Sequence, residues 1–241
     1  MKSHLTYLFL AALIFAGCKK DEDSSLPADF YLIKDATVYN GYDTNYYHFQ
    51  YQADGKISTL TTKNKFETFI SKYSYTGANT NVQVYTQDTI HEAYSYTTNS
   101  RGLALLNNFF YDNNDLLKYV VNRREIKDMG VVIGYSYDTT WYHYNQGNLI
   151  ATSNTKILSN SNNIISYSYD SQRATQQGDI FNFYSLIKGY TNVKNVHLQT
   201  SAGSGNVEKY LYEFDNYGRI ITVKFQSTLP GNAKRVYQYT Y

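Results

Sequence analysis

Tyr47-His48-Phe49-Gln50-Tyr51, followed directly by Gln52-Ala53-Asp54-Gly55-Lys56-Ile57, is the stretch from which the fold is read. Successive side chains of a β-strand point to opposite faces, so Tyr47, Phe49 and Tyr51 share one face and His48 and Gln50 share the other. Gly55 supplies the positive φ that a tight turn needs, and Ile57 opens a returning strand. The expectation is a hairpin with rings on one side. The same alternation recurs along the chain in Tyr73/Tyr75, Tyr94/Tyr96, Phe109/Tyr111, Tyr135/Tyr137, Tyr142/Tyr144, Tyr167/Tyr169 and Phe181/Phe183. It closes with Tyr210/Tyr212/Phe214 and Tyr237/Tyr239/Tyr241. Four copies read Tyr-Ser-Tyr, which sets a small polar residue on the opposite face. Period-two patterning with aromatic enrichment is the signal of half-buried strands, and no comparable helical period runs through the chain.

The turns repeat as well. Tyr51-Gln52-Ala53-Asp54-Gly55-Lys56-Ile57, Phe214-Asp215-Asn216-Tyr217-Gly218-Arg219-Ile220 and Tyr111-Asp112-Asn113-Asn114-Asp115-Leu116-Leu117 align without gaps, and Tyr144-Asn145-Gln146-Gly147-Asn148-Leu149 fits with one deletion. The fifth position is Gly, Gly and Asp in the three full copies, the residue types that tolerate a left-handed backbone. These are degenerate copies of one hairpin unit at irregular spacing.

A dozen or more short strands follow from this count. A sheet that wide curls, because each strand is twisted relative to its neighbour. The fold class read from the sequence is therefore mainly β: a wide antiparallel meander over residues 29–241, curled into a half-barrel or open barrel. Aromatics and aliphatics line its concave side, with Thr, Ser, Asn and Lys outside. One short helix is expected near 179–188, where Ile180, Phe183, Tyr184 and Ile187 share a helical face and Gly189 can terminate it. That helix would plug one mouth of the curved sheet. The Asn/Ser/Thr-rich run from Ala151 to Asn163 reads as a strand edge and loop, and Ser201 to Asn206 as a turn. A membrane-spanning barrel is disfavoured, since successive tyrosines occupy the stripe that would have to be Leu-, Val- and Phe-rich at mid-bilayer depth.

At the N-terminus, Lys2 precedes an apolar stretch from Leu5 to Ala16 that is too short to span a bilayer, and Phe15-Ala16-Gly17 leads into Cys18, the only cysteine. Lys19-Lys20-Asp21-Glu22-Asp23 follow. Phe15-Ala16-Gly17-Cys18 resembles the lipobox of bacterial lipoprotein precursors, with Phe15 in place of the usual Leu. The resemblance implies cleavage before Cys18, acylation of Cys18 and permanent membrane attachment. Residues 1–17 would then be the signal peptide and 18–28 a charged, flexible tether. Lys19, Lys20, Asp21, Glu22 and Asp23 are similar to the export signal of Bacteroidota surface lipoproteins, which implies an outer-membrane protein facing the cell exterior. The hairpin units in turn resemble the Tyr-Asp repeats of RHS-type proteins and, more closely, uncharacterised Bacteroidota lipoproteins built from such hairpins. That likeness implies an antiparallel sheet and carries no catalytic residue.

Of 22 Lys and Arg only Lys2 lies in the leader, leaving 21 basic against 20 acidic residues. Such a balance gives no electrostatic reason to expect nucleic acid as a partner. With Cys18 acylated no thiol remains, which removes disulfides, thiolate catalysis and Cys-ligated zinc. His48, His91, His143 and His197 have no metal-ligand spacing, and Asp54, Asp115 and Asp215 fall in turns as caps. No catalytic residue, metal site or cofactor is expected. Trp141 and His143 are the candidate binding residues. If Tyr142 and Tyr144 point inward, Trp141 and His143 point outward, where an indole offers a stacking surface for a sugar ring or a partner protein. The alternative for Trp141 is a satellite core under a loop. The functional expectation is a noncatalytic envelope protein that binds a glycan or envelope partner through aromatic surface. The competing readings are a structural or assembly component of an outer-membrane complex, acting by edge-strand pairing, and a hydrolase.

Overall fold

The computed structural model describes residues 30–100, 103–156, 162–180, 182–183, 195–202, 206–228 and 235–241. Sixteen strands are described: β1 (Asp35–Tyr39), β2 (Thr44–Tyr51), β3 (Ile57–Lys63), β4 (Thr68–Thr76), β5 (Asn79–Thr86), β6 (Thr89–Thr98), β7 (Ala104–Leu105), β8 (Phe109–Tyr111), β9 (Leu117–Asp128), β10 (Val131–Asn145), β11 (Asn148–Lys156), β12 (Asn162–Ala174), β13 (Asn195–Ala202), β14 (Val207–Phe214), β15 (Ile220–Ser227) and β16 (Arg235–Thr240). All belong to one sheet in the order β7-β6-β5-β4-β3-β2-β1-β16-β15-β14-β13-β12-β11-β10-β9-β8. Every pairing is antiparallel, and every neighbour in the sheet is a neighbour in sequence except β1 and β16.

The two ends of that order, β7 and β8, are themselves consecutive. Only residues 106–108 join them, so the two edges of the sheet lie within about 15 Å, the reach of four extended residue steps. The meander thus comes full circle, yet no ladder joins β7 to β8 and the barrel stays open at a seam. Side chains bridge the seam instead. The Tyr111 hydroxyl donates to the Ala104 carbonyl at 2.5 Å, Asn99 Nδ2 donates to the Asp115 carbonyl at 3.1 Å, and the Ser100 hydroxyl bonds the Asp115 carboxylate.

The four aligned sequence units fold alike. In three of them the amide of the fifth residue bonds back to the second: Gly55 to Gln52, Asp115 to Asp112 and Gly218 to Asp215, each at 3.0 Å. Gly55, Asp115 and Gly218 all have positive φ, at 80°, 59° and 77°. The Asp112 and Asp215 carboxylates cap their turns by accepting two backbone amides each. Each returning strand then carries a bulge just after its first aliphatic residue, where the register slips by one: Tyr51 faces Ile57 but Gln50 faces Thr59. The same slip occurs at Tyr111/Leu117, Tyr144/Leu149 and Phe214/Ile220. Because a bulge inserts one unpaired residue, positions three apart come to face the same way. Ile57 and Leu60, Leu117 and Val120, Leu149 and Thr152, and Ile220 and Val223 are all buried.

The main core sits around the β1/β16 pairing. Ile33, Ala36, Val38, Phe49, Ile57, Leu60, Ile220, Val223, Tyr237 and Tyr239 pack with Ile180 and Phe183, which enter from outside the sheet order. Phe183 lies edge-on to Tyr47 and Phe49, with ring centroids 5.6 and 6.3 Å away, and 5.3 Å from Tyr239. Its amide bonds the Asp179 carbonyl, one helical turn back. Phe183 therefore fills the core from a helical turn and is not part of an extended pair. The remainder of the expected helix, from 184 on, lies outside the described residues. Gln176 and Gln177 hold this plug: Gln177 Oε1 accepts the Ile33 amide at 2.9 Å, and Gln176 bonds both Gly218 O and the Ile220 amide.

Two expectations are corrected. Tyr135 and Tyr137 do not join the inward stripe. β10 runs without a turn from Val131 to Asn145, and the odd interval between Tyr137 and Tyr142 puts the two pairs on opposite faces, leaving Tyr135 and Tyr137 exposed. Residues 151–156 are not edge or loop; they lie in β11, paired with β10, and 151–155 are paired with β12 as well.

Candidate functional site

Trp141 pairs with Tyr119 across the β9/β10 ladder, and Tyr119 pairs with Phe110 across β8/β9. Direct cross-strand neighbours have Cβ atoms about 4.5–5.5 Å apart, close enough for rings to stack. The Phe110 and Tyr119 centroids are 4.4 Å apart with planes 15° from parallel, and the Tyr119 and Trp141 centroids are 4.7 Å apart at 43°. The three rings form a ladder across three adjacent strands. Inward neighbours fix its orientation: Val120 is buried, so Tyr119 faces out, and Tyr142 is half-buried beside exposed Trp141 and His143. Phe110 is 40% and Trp141 37% exposed, so both ends of the ladder meet solvent. Trp141 is surface and not satellite core.

His143 lies two residues along the same face, exposed, with Nε2 3.1 Å from Ser153 Oγ. Ser153 is the β11 residue opposite Trp141. The structure thus brings Trp141 and His143 onto one outer patch and adds Phe110 and Tyr119, which the alternation rule alone did not single out. Their signal was the odd-position aromatic of each strand, Phe110 between Phe109 and Tyr111 and Tyr119 after the bulge at Lys118. Ring faces carry partial negative charge and prefer offset or tilted partners. A row of them with hydroxyl and imidazole at its flank can stack on the C–H face of a pyranose and hydrogen-bond its hydroxyls.

The remaining polar groups are spent on structure. His48 Nδ1 sits 2.7 Å from Asp35 Oδ1, and that bond, with a further one from Thr240, holds the Asp35 carboxyl below the usual carboxylate range. The ring of His91 packs 6.0 Å from that of Phe69. The side chain of His197 lies outside the described residues. Of the buried carboxylates, Asp138 binds Arg124 Nε at 2.9 Å and Asp179 accepts the Tyr212 hydroxyl at 3.2 Å; burial, and then the Asp179 charge, push that phenol upward. Asp54 accepts the Lys56 amide and Asp215 the Tyr217 and Arg219 amides, as turn caps. Among the described residues no three His, Cys, Asp or Glu side chains converge in a metal-binding group. Cys18 and Lys19–Asp23 lie outside the described residues.

No protein family and no curated protein matches the sequence. A porin-like protein from Bacteroides uniformis aligns with a TM-score of 0.53 and 11% identity, over 87% of this chain and 96% of its own. The two share a fold. A porin-like protein from Bacteroides vulgatus aligns over 87% of this chain and 98% of its own, at a TM-score of 0.37 and 11% identity. The structure of TcdB2-TccC3 aligns over 82% of this chain and 14% of its own, at 0.30 and 13%. Only the first likeness is strong enough to argue from, and at that identity it concerns architecture.

Proposed function

We propose that this chain is a lipid-anchored protein of the bacterial outer membrane, facing the cell exterior and noncatalytic, that binds a glycan or an envelope partner through the Phe110–Tyr119–Trp141 ladder. The single observation that carries the reading is that ladder: three rings, one pair stacked and one tilted, held in register on the outer sheet face and exposed at both ends. The address rests on Cys18 and the Lys19–Asp23 segment. The shared fold with a Bacteroides porin-like protein is compatible with an envelope role. The outward positions of this sheet include His48, Gln50, Lys72, Gln83, Lys209, Glu213, Lys224 and Gln238, all exposed. Lys or Arg facing lipid at mid-depth costs about 2–4 kcal/mol each, so such a wall suits water, and the ligand is sought in solution or on a neighbour.

Glycan arrays and envelope pull-downs with the wild-type chain and Trp141→Ala test this. Loss of about tenfold or more in affinity is expected of the variant, as for a hot-spot aromatic; no captured partner, or equal capture by both proteins, overturns it.

A second reading, assembly by strand pairing, draws on the seam. β7 pairs only with Thr97 and Thr98 of β6, and β8 reaches only to Val120 of β9. Among the described residues, the edges of β6 from Thr89 to Tyr96 and of β9 from Asn122 to Asp128 therefore have no strand partner, which leaves them for a partner strand. Backbone crosslinks from these edges to an outer-membrane neighbour support this reading; their absence in intact envelopes removes it.

A further inference from the structure

The outer half of the β9–β10 hairpin is an arm. From Arg123 to Ile133 every residue is exposed, whereas Val120 and Asp138 nearer the barrel are buried. Six ladder pairs, Val131–Asp128 through Tyr137–Arg123 without the bulged Ile133, carry the arm about 20 Å beyond that buried layer at the ordinary rise per residue. The turn at its end is Met129-Gly130, both with positive φ, and Met129 is 99% exposed. Around it stand Ile126, Val131, Val132 and Ile133, all exposed. A run of uncovered aliphatics is unlike the rest of the outer surface and unlike a solvated turn such as Gln87-Asp88.

We propose that this tip inserts into the interfacial layer of a lipid bilayer. Three observations select a bilayer over a protein groove. First, the apolar side chains lie on both faces of the hairpin: Val131 and Ile126 share one face, because their partners Asp128 and Gly134 fix that register, and Val132 opposite Lys127 lies on the other. A groove covers one face; hydrocarbon covers both. Second, Arg123, Arg124, Tyr135 and Tyr137 stand just behind the apolar positions, while Lys127 and Asp128 flank the turn itself. Aromatic hydroxyls and long cations behind an apolar end are the order found at membrane interfaces, where the stems snorkel toward headgroups. The Arg123 guanidinium already lies 3.7 Å from the Tyr135 ring centre, placed to meet a lipid phosphate, while Lys127 pairs with Glu125 at 3.0 Å and Arg124 with Asp138 at 2.9 Å. Third, the tip is short: the apolar positions span about four rungs, or roughly 13 Å, comparable to the 5–10 Å insertion of interfacial elements and far less than a membrane span. Met129 and Gly130 lead, and the charged Lys127 and Asp128 beside them limit the depth to the interfacial layer.

The proposal is independent of the aromatic ladder and of acylation at Cys18. Since Cys18 is the only native cysteine, Met129→Cys in the full chain takes an environment-sensitive dye at one new place, with the unsubstituted chain as blank. Vesicles of phosphatidylethanolamine and phosphatidylglycerol should shift its emission to the blue, and brominated lipids should quench it several-fold. The same dye on Asp88→Cys, at the β5–β6 turn, should report water throughout. Adding Val131→Asp and Ile133→Asp should abolish the shift, while Trp141→Ala should leave it intact. The proposal is overturned if the Met129→Cys label stays in water with vesicles present, if the shift survives both aspartates, or if label-to-label contact without vesicles reveals a second copy over the tip.

Discussion

The Tyr75 hydroxyl reaches the Ile57 carbonyl at 2.8 Å, Tyr169 reaches Leu149 at 2.7 Å and Tyr241 reaches Ile220 at 2.8 Å. In each case the acceptor is the aliphatic residue beside a bulge, where the ladder leaves a backbone group without its strand partner, and the donor comes from the next strand or, for Tyr241, from the residue just after it. This explains why the inward stripe prefers tyrosine to phenylalanine: the ring fills the concave side and the hydroxyl satisfies the bulge. Tyr75→Phe should cost about 1 kcal/mol, read as a lower urea midpoint with unchanged slope. Tyr46→Phe, on the exposed face, should stay within about 0.5 kcal/mol. The alternation that placed these rings inward was legible from residue spacing. The hydroxyl's partner was not, because it lies 18 to 21 residues away and depends on a register slip. For the candidate site, Trp141 and His143 were legible as outward neighbours of Tyr142 and Tyr144, but Phe110 and Tyr119 became its members only through strand pairing.

At the scale of elements, the turn and the plug fail in different ways. Gly218 has a φ of 77° and open space where a Cβ would lie, so Gly218→Ala carries only backbone strain, about 1–2 kcal/mol. Gly178 is the reverse. A Cβ there would stand 3.0 Å from Ile220 Cβ and 3.1 Å from the Tyr241 hydroxyl, so Gly178→Ala must move the plug or the bond from Tyr241 to Ile220, at about 1–3 kcal/mol. Thermal unfolding of both variants checks this, and solvent accessibility near Phe183 should rise only for Gly178→Ala. The turns were readable because glycine, aspartate and asparagine are demanded locally. The bulges left a fainter mark, the aliphatic spacing of three at Ile57/Leu60, Leu117/Val120 and Ile220/Val223, which contradicts a strict period of two. The long β10 left another, the odd interval from Tyr137 to Tyr142.

The whole molecule concentrates buried phenols. Burial pushes Tyr75 and Tyr111 up to about 12, and Tyr51, Tyr73, Tyr169, Tyr210, Tyr212 and Tyr241 are raised as well, burial being the first cause in each. Above pH 10 the unfolded chain loses these protons while the folded chain keeps them, so the unfolded state binds fewer protons and stability falls as pH rises. The contribution is complete below about pH 10 and for Tyr75 is lost by about pH 12. Phenolate absorbance followed against pH should show exposed tyrosines titrating first, then a cooperative step that coincides with loss of β-sheet signal. Gradual titration of all tyrosines without that step would refute the argument.

What the sequence determined by itself is every choice made within a few residues: strand alternation, the turn chemistry at Gly55, Asp115 and Gly218, and hence an antiparallel meander of neighbours. Local sterics and side-chain alternation act over that range, so they leave a readable pattern. The tertiary structure alone decided what depends on distant pairing. Curling of the sheet brought β1 beside β16, set the bulge registers, drew Phe183 into the core, and lined up Phe110, Tyr119 and Trp141 from three strands. None of these has a local cost that residue order could record, because each is settled by which strands lie side by side once the sheet has twisted around on itself.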